Sequence, residues 1–336
     1  IESAAAGDIV VFSKVEGLGV GDAFTVAGSE APEVGFAMMP KPTVALAVTP
    51  KSRSDEQKIG AALQKLTAED PTFVIVHDET THELVMQGSS DLHLQIMEAR
   101  LNRRYGVEID THLPKIAYKE TITKEVEAHY RHKKQSGGRG QFGECYIRMR
   151  PGAQGTGIEF IDKVVGGAIP RNLIPAVDKG IKEVASQGVM TSSTVVDVEV
   201  ELYDGKFHAV DSDEASFKMA GGRAFRDGFE KAGPVLLEPV MELEIHIPTD
   251  VAGTVFSDLT SQRRGHVHDQ STEADGAITM IKAEAPLAMV QTYHRDLKSQ
   301  TAGEGSFSMK FSHFAAVPAQ EQTKVLATIG KKHEED

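Results

Sequence analysis

The sequence predicts an α+β chain of several domains, in which two β-α-β-β-α-β sandwiches of the ferredoxin-like kind flank a third unit of different build. Three observations carry that reading. A chain of 336 residues is too long for one compact core and asks for two or three. Runs of strand and helix period follow one another in the β-α-β-β-α-β order at 43–113 and again at 236–320. Between them, 114–235 holds long alternating strands and a basic, glycine-rich loop, which fits neither repeat.

Residues 1–30 read as the end of a β-barrel, with strands at 8–13 and 23–27 around glycine-rich turns. Residues 31–42 carry Pro32, Pro40 and Pro42 and read as a linker. In 43–113 the first strand runs over 43–48. Ser54-Asp55-Glu56-Gln57 forms a capping box ahead of Ile59, Ala62, Leu63 and Leu66 at helical spacing, and Asp70-Pro71 stops that helix. Strands at 73–76 and 83–87 enclose a polar turn. Ser90 caps a second helix, striped by Leu94, Met97 and Leu101 and ended by Gly106, before a last strand at 107–110.

In 114–235, a strand region over 116–130 leads up to the basic loop, 145–150 leads back, and 159–165 is another strand. Ile169-Pro170 opens a helix striped by Ile174, Val177, Ile181 and Val184, ended by Gly188. The long strand 194–203 alternates valines with polar residues, Asp204-Gly205 turns the chain, and Asp211-Ser212 caps a helix reaching about 230. In 236–320 a strand at 239–247 precedes a helix opened by Pro248 and Asp250. Strands at 266–270 and 277–284, a helix opened by Pro286 and a strand at 306–311 complete the second repeat. Residues 321–336 read as a polar tail, frayed from 330.

The net charge of −13 and pI near 5.5 argue against unspecific coating of nucleic acid, so any RNA contact is local. The sequence has no long apolar run and no signal peptide, and is read as a cytoplasmic monomer away from membranes. Cys145 is the one cysteine, which fits a reducing compartment. The chain opens at Ile1 in what reads as the middle of a β-rich element, so a piece of a longer protein is expected.

The strongest local signal is Arg131-His132-Lys133-Lys134-Gln135-Ser136-Gly137-Gly138-Arg139-Gly140-Gln141, with four formal positive charges and no acid. Its glycines allow close backbone approach, and Arg139 offers a planar fork of donors to phosphate or guanine. An ordinary solvated loop has the same composition. His208, near Asp211, reads as lying at the same end of the middle unit, which would place a histidine donor beside the cations. His208 with Asp211 could also perform acid–base work, and His266 with His268, two apart on a strand, could hold zinc. An independent metal- or small-molecule-binding enzyme using His208, His266 or His268 is therefore an alternative. Arg263-Arg264-Gly265 suits a helix C-terminus, where cations complement the dipole and glycine caps. No phosphate-cradling Gly-x-x-x-x-Gly-Lys-Ser/Thr is present, and Gly330-Lys331-Lys332 lacks both spacing and hydroxyl, so this chain is not expected to hydrolyse a nucleoside triphosphate.

The 132–143 loop closely resembles the domain IV tip loop of bacterial elongation factor G, a translational GTPase. Leu202-Tyr203-Asp204-Gly205-Lys206-Phe207-His208-Ala209-Val210-Asp211-Ser212 resembles that family's second tip loop, Gly166-Gly167-Ala168-Ile169-Pro170 its Gly-Gly-Val-Ile-Pro, and Asp91-Leu92-His93-Leu94 a domain III helix. The resemblance implies the end of domain II at 1–30, domain III at 43–113, domain IV with a left-handed βαβ crossover at 114–235, and domain V at 236–320. It implies a GTP- and magnesium-binding domain upstream, with no cofactor in this chain. It implies the ribosome, ribosomal RNA, tRNA and mRNA as partners in translocation, contacted through Lys133, Lys134, Gly137, Gly138, Arg139, Gly140, Gln141, His208 and Asp211. Ser89-Ser90-Asp91, Ser261-Gln262 and the acid in Thr301-Ala302-Gly303-Glu304-Gly305 depart from the family pattern, and leave open a paralogue serving ribosome recycling or protection.

Overall fold

The computed structural model describes residues 3–11, 17, 19–30, 39–135 and 140–333, with side chains to 328. It divides into two compact units, 1–78 with 82–114, and 79–81 with 115–336.

The first unit holds β1 (Val44–Pro50), α1 (Arg53–Glu69), β2 (Val74–Asp78), β3 (Glu83–Gly88), α2 (Asp91–Tyr105) and β4 (Ile109–His112). The antiparallel sheet has the order β2-β3-β1-β4. Ile59, Leu63 and Leu66 of α1 and Leu94, Met97 and Leu101 of α2 share a face by their spacing and close on Val44, Val48 and Met86. The cap of α1 lies two residues before the expected box. Ser52 Oγ accepts from the Asp55 amide at 3.2 Å and donates to its carboxylate at 2.6 Å, so Ser52-x-x-Asp55 is the reciprocal pair. Ser90 and left-handed Gly106 cap α2 as expected.

The second unit begins with β5 (Lys119–Ile122), β6 (Val126–Lys134), β7 (Gln141–Pro151), β8 (Ile158–Asp162), α3 (Ile174–Gln187), β9 (Val198–Lys206) and α4 (Glu214–Lys231). Its sheet runs β6-β7-β9-β8, with β8 and β9 parallel and joined through α3. Inward residues Cys145, Ile147, Met149, Val198, Val200 and Leu202 meet Val177 and Ile181 of α3 and Phe217 and Phe225 of α4 in one core. There follow β10 (Pro234–Pro248), a 3-10 turn (Thr249–Val251), α5 (Ala252–Gln262), β11 (His266–Thr272), β12 (Ile278–Pro286), α6 (Leu287–Val290), α7 (Tyr293–Gln300), β13 (Ser306–Ala316) and α8 (Ala319–His333). This sheet runs β11-β12-β10-β13, which is the strand order of the first unit's sheet repeated position for position.

Several expectations need correction. The strands read into 8–13 and 23–27 do not form among the described residues: Ile9, Val11, Phe24 and Val26 are exposed and no strand pairs with them. The 116–130 region is two strands in two sheets. Thr123 and Lys124 turn their amides to Ala232 and Gly233, which sends β5 to pair with β10. The helix expected from Ile169-Pro170 starts at Ile174, with Pro175 in its first turn. The strand expected over 194–203 begins at Val198, after Asp197 in left-handed backbone, and passes straight through Asp204-Gly205, which is no turn. Tyr203 is the extra residue of a bulge, since Ile147 pairs with Leu202 and Tyr146 with Asp204. Asp213, not Asp211-Ser212, caps α4. The helix opened by Pro286 is split into α6 and α7, and the supposed tail is largely α8.

Candidate nucleic-acid interface

The middle unit of the chain is where its acidity vanishes: 114–235 carries 18 Lys and Arg against 17 Asp and Glu. Its most extended feature is the β6–β7 hairpin, paired from Val126↔Met149 to Lys134↔Gln141. One face of the hairpin packs inward through Ala128, Cys145, Ile147 and Met149. The other carries His129, Arg131, Glu144 and Tyr146. Glu144 is fully buried beneath them. It accepts from Arg131 Nε at 2.9 Å, His129 Nε2 at 2.9 Å and the Tyr146 hydroxyl at 3.0 Å. Burial alone pushes this carboxyl up, but the hydrogen bonds from Arg131, His129 and Tyr146 outweigh it and hold Glu144 at about 2.

That value sets a pH dependence. A folded carboxyl below its unfolded value of about 4.3 contributes its stability in full above that value and loses it as pH falls toward 2. By size of shift the contribution is up to about 3 kcal/mol, and less because water screens half-exposed Arg131. Glu144→Gln is expected to lower stability at pH 7 and to flatten the acid limb between about pH 4.3 and 2, read by urea unfolding at a series of pH values. An acid limb identical to wild type would remove Glu144 from it.

The second loop joins β9 to α4 and is tied to the hairpin end. The Phe142 amide donates to Asp211 O at 2.9 Å, the Gly140 amide to the Asp211 carboxyl at 3.1 Å, and Ser212 Oγ to Phe142 O at 2.8 Å. A β-carbon on Gly140 would sit 3.0 Å from that carboxyl, so a larger residue there would push the Asp211 side chain back by a few tenths of an ångström. His208 closes the loop on itself: its amide donates to Ser212 Oγ at 2.8 Å, and its Nδ1 faces the amides of Val210 and Asp211 at 3.4 and 3.3 Å. The same Nδ1 lies 3.3 Å from the Asp211 carboxylate. The side chain is 57% exposed, and its ring meets Phe142 edge-on at 6.5 Å.

His208, Asp211, Gly140 and Gln141 therefore share one end of the sheet with Lys133 and Lys134, which are exposed on the last rungs of β6. Gln141 is held by His132 at 3.0 Å. Gly137, Gly138 and Arg139 lie outside the described residues. Sequence reasoning singled out Gly166-Gly167-Ala168-Ile169-Pro170 by resemblance but did not place it at this end, where it forms a third loop after β8. Val165 is 77% exposed there, Gly166 and Gly167 are both left-handed, and Ile169 packs against Gly205. Consecutive glycines after a strand were the signal available for it.

The other candidates take different roles. Arg263 is consumed internally, with Asp258 at 2.6 Å, Met289 O and Asp296 at 2.8 Å, and the Tyr293 ring beneath it. Arg264, in left-handed backbone, makes a two-pronged pair with buried Glu238. Gly265 donates to Leu259 O, as a cap should. His268 pairs with Glu284 at 3.1 Å, and among the described residues His266 meets only its ring neighbour. No three His, Cys, Asp or Glu among the described residues converge on a metal position. The Ser212 hydroxyl near His208 is committed to Phe142 O, and burial pushes the Cys145 thiol up to about 12, so neither is a nucleophile. Among the described residues no helix is long and apolar enough to cross a membrane.

Comparison with known proteins places these units. Residues 39–113 match the family model for elongation factor G, domain III, 114–233 that for domain IV, and 235–325 that for the elongation factor G C-terminus. The chain is 41% identical over 336 residues to elongation factor G 2 of Saccharophagus degradans, covering 100% of this chain and 48% of the relative. It is 43% identical over 326 residues to an elongation factor G-like protein of Thermotoga maritima, covering 97% and 47%. A crystal structure of a Thermus thermophilus protein superimposes with a TM-score of 0.78 at 38% identity, over 90% of this chain and 45% of that one. The chain spans about half the length of the curated relatives it matches.

Proposed function

Because the chain belongs to the elongation factor G family, with domain III, domain IV and the C-terminal domain represented, we propose that it is the ribosome-engaging part of a translation elongation factor. In this reading the end of domain IV formed by 132–141 and 207–212 enters the decoding-site region and supports GTP-dependent movement of tRNA and mRNA. GTP and its magnesium belong to an upstream domain. The observation that carries the reading is the joining of two loops through Asp211, which sets Lys133, Lys134 and the exposed imidazole of His208 at one end of the sheet. Lysines supply phosphate contact, and an imidazole N–H donates to a base edge or a 2′-hydroxyl. Gly137, Gly138 and Arg139 enter from the sequence, between Lys134 and Gly140. Asp211, one of the contact residues in this reading, also positions the loops by accepting from the Gly140 amide.

Arg139→Ala and His208→Ala, each made in the protein that carries the GTP-binding domain, are expected to slow translocation at least tenfold, at the low end of a positioning loss of order 10–100-fold. Ribosome-stimulated GTP hydrolysis should stay largely intact. Wild-type translocation rates in both would remove the assignment. Exposed Glu304, in the turn before β13 where the family pattern has an arginine, favours a second reading as a recycling or protection paralogue. Subunit splitting without translocation activity would select it.

A further inference from the structure

The outer side of the helix layer carries a second cationic feature, away from the loops. Helices α3 and α4 run so close at Gly180 and Gly222 that side chains on their outer edges frame a groove of about 240 Å³. Its polar lining is Glu183, Gln187, Lys218, Arg223 and Arg226. Lys218 and Glu183 are paired with each other across it. Arg223 and Arg226 have no ion pair or hydrogen bond among the described residues. Arg53, Arg100, Arg103 and Arg171 also have none among the described residues, and what sets Arg223 and Arg226 apart is that they line one groove together. Arg131, Arg148, Arg150, Arg263 and Arg264 are each held by a carboxylate, and at a net charge of −13 carboxylates are plentiful.

We infer that the α3–α4 groove binds the phosphate backbone of an RNA strand through Arg223 and Arg226. The two guanidinium groups sit at i and i+3, about 5–6 Å apart at the β-carbon, so they spread along the groove and suit a row of charges better than one small anion. Arg223 lies nine residues beyond the start of α4, about 14 Å along the helix at 1.5 Å per residue. The contact is therefore separate from the loops at Gly140 and His208. It reads no base and fixes how domain IV lies on its RNA. The inference rests on the ribosome-engaging reading for its partner, but its chemistry is tested without a ribosome.

The test is fluorescence anisotropy of the whole chain with an RNA duplex of about 20 base pairs, from about 50 to 200 mM salt. Arg223→Gln with Arg226→Gln is expected to weaken binding about tenfold at the low-salt end and to reduce the slope of log K against log salt by between about one and two. Arg223→Lys with Arg226→Lys should recover the slope, and equal thermal midpoints for all three proteins show that folding is not what changed. Affinity and slope equal to wild type in the glutamine variant overturn the inference, as does failure of the wild-type chain to bind the duplex at low salt. Competition by millimolar inorganic phosphate at constant ionic strength would assign the groove to a small anion and overturn it too. The outcome is independent of the His208 and Arg139 experiments: normal translocation there with a lost slope here removes the loop assignment alone.

Discussion

Replacing Glu120 by alanine is expected to cost the second unit about 4 kcal/mol. Glu120 is a charged-type residue on β5 with no exposed surface. One carboxyl oxygen accepts from the amides of Val189 and Met190, both at 2.8 Å. The other accepts from the Thr191 amide at 2.7 Å, the Thr191 hydroxyl at 3.0 Å and the Ser193 amide at 3.3 Å. Its own backbone is also taken, by Thr194 O and the Val196 amide. One side chain therefore satisfies the polar turn between α3 and β9, where Ser192 is held in left-handed backbone. Alanine strands four amides inside the protein at about 1–3 kcal/mol each, of which water entering the space recovers part. Glutamine is expected to be little better, because its amide nitrogen is a donor and every group around the site is a donor as well. Hydrogen exchange at Val189, Met190 and Thr191 reads the effect locally: protection should fall by two orders of magnitude or more, as about 1.4 kcal/mol corresponds to each tenfold. Unchanged protection in Glu120→Ala would mean that the turn holds itself.

Glu120 also marks where the sequence stops being readable. The amphipathic stripes of α1, α2 and α3 were legible, because Ile59, Leu63 and Leu66, or Val177 and Ile181, recur at the period of a helix whatever they pack against. The two β-α-β-β-α-β runs follow from the same arithmetic, and both sheets adopt one strand order. An acid inside a strand, however, reads as solvent-facing polarity. Glu120 is buried because of partners 69 to 73 residues away, and Glu144 because of His129 and Arg131 on the facing strand, 15 and 13 residues away, as well as Tyr146 two residues on. Asp204-Gly205 failed for a related reason. Asp-Gly is a turn signal taken alone, but here the missing β-carbon admits Glu144 O, which would lie 2.5 Å from it, and the strand continues. At the loops, the shared end of His208 and Gly140 could be anticipated from two strand reversals. Asp211 as the tie between them could not, since a helix cap was the better local explanation of the same residue.

Gly180→Ala and Gly60→Ala are expected to move stability in opposite directions, although both replace a mid-helix glycine. By propensity alone each should gain about 0.5–1 kcal/mol, since alanine loses less backbone entropy in a helix. At Gly60 of α1 no atom lies within 4 Å of the new β-carbon, so the gain should appear in full. At Gly180 of α3 the β-carbon would lie 2.0 Å from the carbonyl oxygen of Lys218 and 2.8 Å from its carbon. Those are backbone atoms of α4, so no rotamer change relieves the overlap and the helices must part by about an ångström. Parting them opens the contact of Val177 and Ile181 with Phe217 and Phe225, all fully buried, and a net loss of about 3 kcal/mol is expected. The displacement also reaches the candidate interface. The first turn of α4 holds Ser216, whose carbonyl lies against Gly143 of the hairpin, and Asp213 caps that turn directly after the His208 loop. Gly180→Ala should therefore lower the unfolding midpoint and loosen the Phe142–Asp211 and Gly140–Asp211 ties, visible as faster exchange of the Gly140 and Phe142 amides. A Gly180→Ala chain that unfolds at the wild-type midpoint, with those two amides as protected as before, would show that the helix pair slides freely and that the loops do not depend on it.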